Sequence, residues 1–178
     1  GITKAHYGGW CIYPDEGSSH MLIEHNICYS TNDSVFNQHY GRENLVRNNI
    51  FAFGGDSVLA HGRADLGQKS IRFERNILVT DGQPIFRCGY SCRFDDMNHT
   101  SDLNLLWDIG GGEPSFVERE TDATVDLEAW RTLGHDVHSI VADPKLKDPL
   151  NGDFALAADS PAFALGFEPI DLSDVGPR

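Results

Sequence analysis

The segment Asn44-Leu45-Val46-Arg47-Asn48-Asn49-Ile50-Phe51-Ala52-Phe53 carries the repeat that organises the chain. It is an apolar run with Asn-Ile at its centre, and the pair returns as Asn26-Ile27, Asn76-Ile77 and, with Leu, Asn104-Leu105. The asparagines stand 23, 27 and 28 residues apart. A period drifting through the twenties, with strand-sized apolar runs between turns, belongs to a solenoid whose coils stack along one axis. No helical 3.6-residue periodicity competes in this region. Stacking places equivalent positions above one another, so the repeat predicts spatial neighbours.

Outward from the asparagines, Ser34-Val35-Phe36 aligns with Ser57-Val58-Leu59, with Cys11-Ile12-Tyr13 before them and Pro84-Ile85-Phe86 after. Four coils follow, at about 11–33, 34–56, 57–83 and 84–112, each with a short apolar strand and a second strand (21–29, 44–53, 70–80, 102–107). Asn32-Asp33, Gly54-Gly55-Asp56, Asp81-Gly82 and Gly110-Gly111-Gly112 supply the turns between them. The repeated Asn suits a bend where each amide bonds the Asn of the next coil, an internal ladder. After Gly112 the pattern changes: 126–134 reads as a short amphipathic helix with Asp126 as N-cap and Gly134 as C-cap. The expected fold is all-β: one domain over 1–178, a short right-handed parallel β-helix of about four coils at 11–112. A C-terminal cap at 113–178, containing one short helix, is expected to cover the exposed solenoid end.

Bulk composition narrows the partners. With 178 residues the chain can bury one real core, and no apolar stretch approaches the roughly 20 residues of a membrane helix. Lys+Arg total 14 against 27 Asp+Glu, a net charge of −13. Nucleic acid and anionic membranes are poor partners for such a field. A polyanionic glycan is repelled as well unless a local basic cleft overcomes the field. The chain opens Gly1-Ile2-Thr3 with no Met and no signal peptide, the look of a mature or processed form. Its first coil is expected to be covered by a preceding segment or by a second copy in a homo-oligomer. Cys11, Cys28, Cys88 and Cys92 decide little: Cys88-x-x-x-Cys92 is compatible with a disulfide, a weak metal pair or two separate thiols, and packed structural thiols are favoured.

Val141-Ala142-Asp143-Pro144, Asp148-Pro149, Gly152-Asp153-Phe154-x-Leu156 and Ser160-Pro161-Ala162, ending in Gly166-Phe167, resemble the C-terminal close of bacterial right-handed parallel β-helix proteins of the pectate-lyase-like kind. Trp10-x-Ile12-Tyr13-x-Asp15-Glu16-Gly17-Ser18 and His39-Tyr40-Gly41-Arg42-Glu43-Asn44 look like the late coils of β-helix glycoside hydrolases. The resemblance covers nearly all of the chain and implies a carbohydrate-active protein, secreted or periplasmic. Such proteins usually carry many more coils ahead of these motifs.

The repeat also gives columns. Ile12, Val35, Val58 and Ile85 form a β-branched interior stack. The next column, Tyr13, Phe36, Leu59 and Phe86, then faces outward, followed by Asp15, Gln38, His61 and Cys88. The adjoining turn columns hold Glu16 and His39, then Tyr40 and Arg63. The expected substrate strip is therefore Tyr13, Phe36, Gln38, His39, Tyr40, Arg42, His61 and Arg63, with aromatic faces for pyranose C–H surfaces and polar groups for hydroxyls. The plainer alternative turns Tyr13 and Phe36 inward as core aromatics.

Glycoside hydrolysis needs an acid and a second carboxylate. Asp15 is the first candidate, with Glu16 beside it and Asp56 as candidate partner, although turn formation is the favoured reading of both Asp33 and Asp56. His39 is expected to orient a carboxylate or hydroxyl, and Arg42 to anchor substrate or a turn. The expected function is a glycoside hydrolase; the alternatives are a polysaccharide lyase on the same scaffold and a non-catalytic glycan-binding or assembly module. No cofactor is expected. His6, His20, His25, His39 and His61 match no compact ligand motif, so no metal site is assigned, and calcium is admitted only at Asp95-Asp96 in a polar loop. His138, in the cap, shows no catalytic partner in the sequence.

Overall fold

The computed structural model describes residues 8–65, 67–94, 98–173 and 175. His6 and the Asp95-Asp96 pair weighed above for metal and calcium lie outside them. The chain winds as a parallel β-solenoid. A partial first coil holds β1 (Leu22–Glu24) and β2 (Ile27–Thr31). Three full turns follow: β3 (Phe36–His39), β4 (Asn44–Arg47) and β5 (Ile50–Gly54); β6 (Leu59–Arg63), β7 (Ile71–Glu74) and β8 (Ile77–Thr80); β9 (Phe86–Tyr90), β10 (His99–Asp102) and β11 (Leu105–Asp108). The closing part contributes β12 (Ser115–Glu118), β13 (Ala123–Asp126), α1 (Leu127–Thr132), β14 (Ile140–Val141), β15 (Leu146–Asp148) and β16 (Asp153–Leu156).

Three sheets result. Sheet A runs β3-β6-β9-β12 in parallel, with β13 added antiparallel to β12. Sheet B runs β1-β4-β7-β10, and sheet C runs β2-β5-β8-β11-β14, both parallel. Each coil thus has three strands rather than two, because 44–53 is not one strand but β4 and β5 across a corner. The corner residues His25, Asn48, Arg75 and Leu103 all take positive φ, at 59°, 52°, 55° and 59°. One left-handed residue per coil turns the chain sharply from sheet B to sheet C, at a steric cost of order 1 kcal/mol that the surroundings must offset.

The ladder asparagine follows that residue each time. Asn26 Nδ2 donates to Asn49 Oδ1 (2.9 Å), Asn49 Nδ2 to Asn76 Oδ1 (3.0 Å), and Asn76 Nδ2 to Asn104 Oδ1 (3.2 Å). The same Oδ1 atoms accept the backbone N–H of the preceding coil's Asn. Asn104 Nδ2 then donates to Asp136 Oδ1 (3.0 Å), whose Oδ2 accepts from Trp130 Nε1 (2.8 Å). The cap is therefore tied to the end of the ladder.

Alternation sorts the core. In β5, Phe51 points into the solenoid, while Ile50 and Ala52 lie on the outer face of sheet C under Phe154, Ala162 and Phe167 of the C-terminal segment. Burial on both faces explains why the β8 residues Ile77-Leu78-Val79 form a continuous apolar run. Asp126 caps α1 by accepting the Ala129 N–H, and Gly134 at φ +93° follows the C-cap residue Leu133. The helix buries Trp130 inside the solenoid end, 4.3 Å from the Phe116 ring and 5.6 Å from Phe86. All four cysteines are paired, Cys11 with Cys28 and Cys88 with Cys92, rather than free packed thiols.

Candidate active-site groove on sheet A

The interior stack of Val35, Val58 and Ile85 is buried, but so is the neighbouring column of Phe36, Leu59 and Phe86. Val35 sits in the bend before β3, so in-and-out alternation begins at Phe36 and not at Val35. Ile12 bridges Phe36, one residue away from its expected partner Val35. A one-residue slip moves a whole side-chain set to the other face. Phe36, Gln38 and His61, expected on the substrate strip, consequently lie inside the solenoid, each essentially inaccessible.

What faces outward is the other set. A groove of about 560 Å³ runs over the outer face of sheet A, lined by Asn37, His39, Ala60, Gly62, Arg63, Arg87, Gly89 and Tyr90 from the strands. Trp10 and Tyr13 form one end, Asp33, Ser34 and Asp56 the strand-entry side, and Arg119 the far side. Gly62 and Gly89 keep the floor low: a Cβ on Gly62 would come within 2.8 Å of Asn37 Oδ1, and one on Gly89 would strike the Gly62 backbone. The Asn37 side chain is buried beneath this floor, and its Oδ1 has no hydrogen-bond partner.

Asp15 lies at the groove's rim, exposed. Its Oδ1 accepts from His39 Nδ1 (2.8 Å), Tyr13 OH (2.9 Å) and the Glu16 backbone N–H (2.9 Å). The His39 bond first, then those from Tyr13 and the Glu16 backbone, hold the Asp15 carboxyl below its ordinary value, so it stays ionised. Glu16 is exposed and its Oε1 lies 3.5 Å from His39 Nδ1. Tyr13 and His39 line the groove; the Tyr40 ring lies outside it, tilted against the His39 ring at 4.7 Å between centroids. Arg42 is exposed and outside the groove's lining. Asp56 lines the groove and is ion-paired with Arg87, and Asp33 stands beside it while accepting the Ser34 N–H (2.8 Å). Arg63 and Arg119 lie over the Tyr90 ring, at 5.3 Å and 5.1 Å from its centroid. Burial, and then the Arg119 charge, lower the Arg87 pKa.

Of the residues expected at the site, Tyr13, His39, Asp56 and Arg63 line the groove, and Asp15 and Glu16 lie against His39 at its rim. Trp10, Asn37, Arg87, Tyr90 and Arg119 line it too and were not among the expected residues; the mixed column Asn37-Ala60-Arg87 was the available signal for the floor. His20 and His25 take no part in the groove; His25 lies 3.5 Å from Glu168. His138 Nδ1 bonds Asp102 (2.7 Å), a partner the sequence did not show. Asp15, Glu16 and His39 also bring three metal-capable donor atoms within 4.8 Å of one another. No family model matches the chain, and the search of curated proteins and of solved structures finds no match either.

Proposed function

We propose that the sheet A groove is the saccharide site of a glycoside hydrolase. The observation that carries this reading is that Asp33 and Asp56 line one open groove with the rings of Trp10, Tyr13 and Tyr90, while Asp15 bonds two of its lining residues, Tyr13 and His39, at the rim. Aromatic faces suit the C–H surface of a pyranose, and the polar side chains that line the groove suit its hydroxyls. Asp15, held ionised by three donors, is suited to be the nucleophile or the base that activates water, not the acid. Asp56 supplies the second carboxyl group. To act as the acid, Asp56 must first part from Arg87 and take up a proton from solvent, which it then gives to the glycosidic oxygen. His39 fixes the orientation of Asp15. Both disulfides fit a secreted or periplasmic setting.

One observation favours a second reading. Arg63, Arg87 and Arg119 converge on this groove in a chain of net charge −13. Such a local basic cluster suits a uronate carboxylate and so a polysaccharide lyase. Incubating the chain with a panel of neutral and uronate-containing oligosaccharides separates the readings. Hydrolysis gives products one water heavier in mass with no new ultraviolet absorbance, whereas elimination gives an unsaturated, ultraviolet-absorbing sugar. Binding without either product would make the chain a glycan-binding module.

A further inference from the structure

Behind the groove, on the inner face of sheet A, a second polar row plays no part in the proposed saccharide chemistry. Gln38, His61, Cys88 and Glu118 follow in register on β3, β6, β9 and β12, all buried. Gln38 is satisfied, accepting from Asn44 Nδ2 (2.9 Å) and donating toward the Ser70 carbonyl (3.4 Å). Glu118 accepts from the Phe94 N–H (3.0 Å) and the Thr121 hydroxyl (3.0 Å). His61 is not satisfied: neither ring nitrogen has a hydrogen-bond partner, although a buried polar atom left unpaired is destabilising.

His99 of β10 presents its ring to His61 at 6.3 Å, edge to face. Its Nε2 has no partner, and its Nδ1 lies 3.9 Å from Cys92 Sγ. One donor atom each from His61, Cys92 and His99 falls within 4.8 Å of the others. Cys88 is the register neighbour of His61 and the disulfide partner of Cys92, so a second sulfur is bonded to this cluster, outside the set of three mutually close donor atoms. Burial pushes His61 down to about 4 and His99 well below the ordinary imidazole value; the Arg63 backbone opposes the His61 shift without a hydrogen bond of ordinary geometry. Both rings are neutral at physiological pH, the form that binds metals.

We propose that reduction of the Cys88–Cys92 disulfide opens a buried zinc site formed by those two sulfurs with His61 and His99. Two thiolates and two imidazoles make a tetrahedral set suited to Zn²⁺. Ligand atoms in such a shell stand about 3.5 Å apart, so the His61, Cys92 and His99 donors must close by about 1 Å and the Cys88 sulfur must turn in to join them. Cys92, in the turn after β9, supplies that movement once its sulfur is released. A dithiol reductant gives two electrons and two protons to the disulfide: the S–S bond breaks, two thiols form, and the reductant closes to its own cyclic disulfide. Zn²⁺ then displaces the two thiol protons, while both histidines bind unprotonated. The oxidised chain offers no thiolate here and holds no zinc at this place.

The test reduces the chain with dithiothreitol, removes the reductant without oxygen, and titrates with Co²⁺ while circular dichroism follows the fold. The expected result is one Co²⁺ per chain, with the visible bands of a tetrahedral ion and a thiolate charge-transfer band, both lost on adding Zn²⁺ and absent from the oxidised chain. His61→Gln and His99→Gln should each weaken Co²⁺ binding by at least about 100-fold. X-ray absorption on zinc-loaded wild-type chain, which needs no variant, should report two sulfur and two nitrogen neighbours. Ion held by Asp15, Glu16 and His39 would instead bind the oxidised chain too, with no thiolate band. The proposal fails if the reduced, folded chain shows no thiolate band, if the absorption shell is different, or if reduction unfolds the chain and Zn²⁺ does not restore it.

Discussion

Asp15 and His39, 24 residues apart, share a 2.8 Å hydrogen bond at the rim of the sheet A groove. The bond puts the His39 proton on Nδ1, facing an ionised carboxylate, and it is the largest cause of the lowered Asp15 pKa. The two residues belong to successive coils, so the solenoid register itself builds the pair.

Removing His39 should therefore change the titration of Asp15. In His39→Gln the Asp15 carboxyl should titrate at higher pH than in the parent chain, toward its ordinary value. Carboxyl-detected NMR titration reads this without any substrate. If the reading of the groove holds, the acid limb of kcat/KM moves up in pH with it. An Asp15 titration unmoved by the substitution would show that the bond does not govern the carboxylate.

The amide ladder should carry much of the solenoid's stability. Asn76→Ala removes the acceptor of the Asn49 backbone N–H and the donors to Val46 O and Asn104 Oδ1, all in buried surroundings. Leaving such groups unpaired costs about 1–3 kcal/mol each, so a loss of at least about 2 kcal/mol is expected in urea unfolding. An unchanged midpoint would mean that neighbouring groups take over the bonds.

Acid should unfold the chain partly through its buried histidines. His61 is neutral in the fold, with its pKa depressed from 6.5 to about 4 by burial. The unfolded chain therefore binds more protons between those values, and stability falls as pH drops from about 6.5 toward about 4. The full His61 contribution is on the order of 3 kcal/mol, and His99, shifted the same way, adds to it. Thermal unfolding across this range should show a shallower decline in His61→Gln than in the parent. Equal slopes would place the acid sensitivity elsewhere.

The repeat was legible because Asn26, Asn49, Asn76 and Asn104 recur in the same chemical setting. The ladder, the parallel stacking and the Asp126-capped helix follow from residues whose local chemistry has few alternatives. The groove was harder. Facing in a short strand depends on where alternation starts, and Val35, buried at a bend, looks in sequence like the first inward strand residue. Starting one residue early sent Phe36, Gln38 and His61 outward and hid Asn37 and Arg87. The third sheet was invisible because its corners use His25, Arg75 and Leu103 in left-handed conformation, residue types that carry no turn signal. Arg119 reaches the groove from the residue after β12, beyond the aligned coils, so no column predicted it.

The most direct test of the groove as a glycoside hydrolase site is turnover by Asp15→Asn. The amide keeps the size of the carboxylate and still accepts a hydrogen bond from Tyr13 or His39, but it loses the charge and the basicity. With the best saccharide found in the panel, kcat should fall by about 10²–10⁴-fold or more, while the circular dichroism spectrum and thermal midpoint stay close to those of the parent. A folded Asp15→Asn chain that turns over the same saccharide at near the parent rate would contradict the assignment of this groove as the catalytic site.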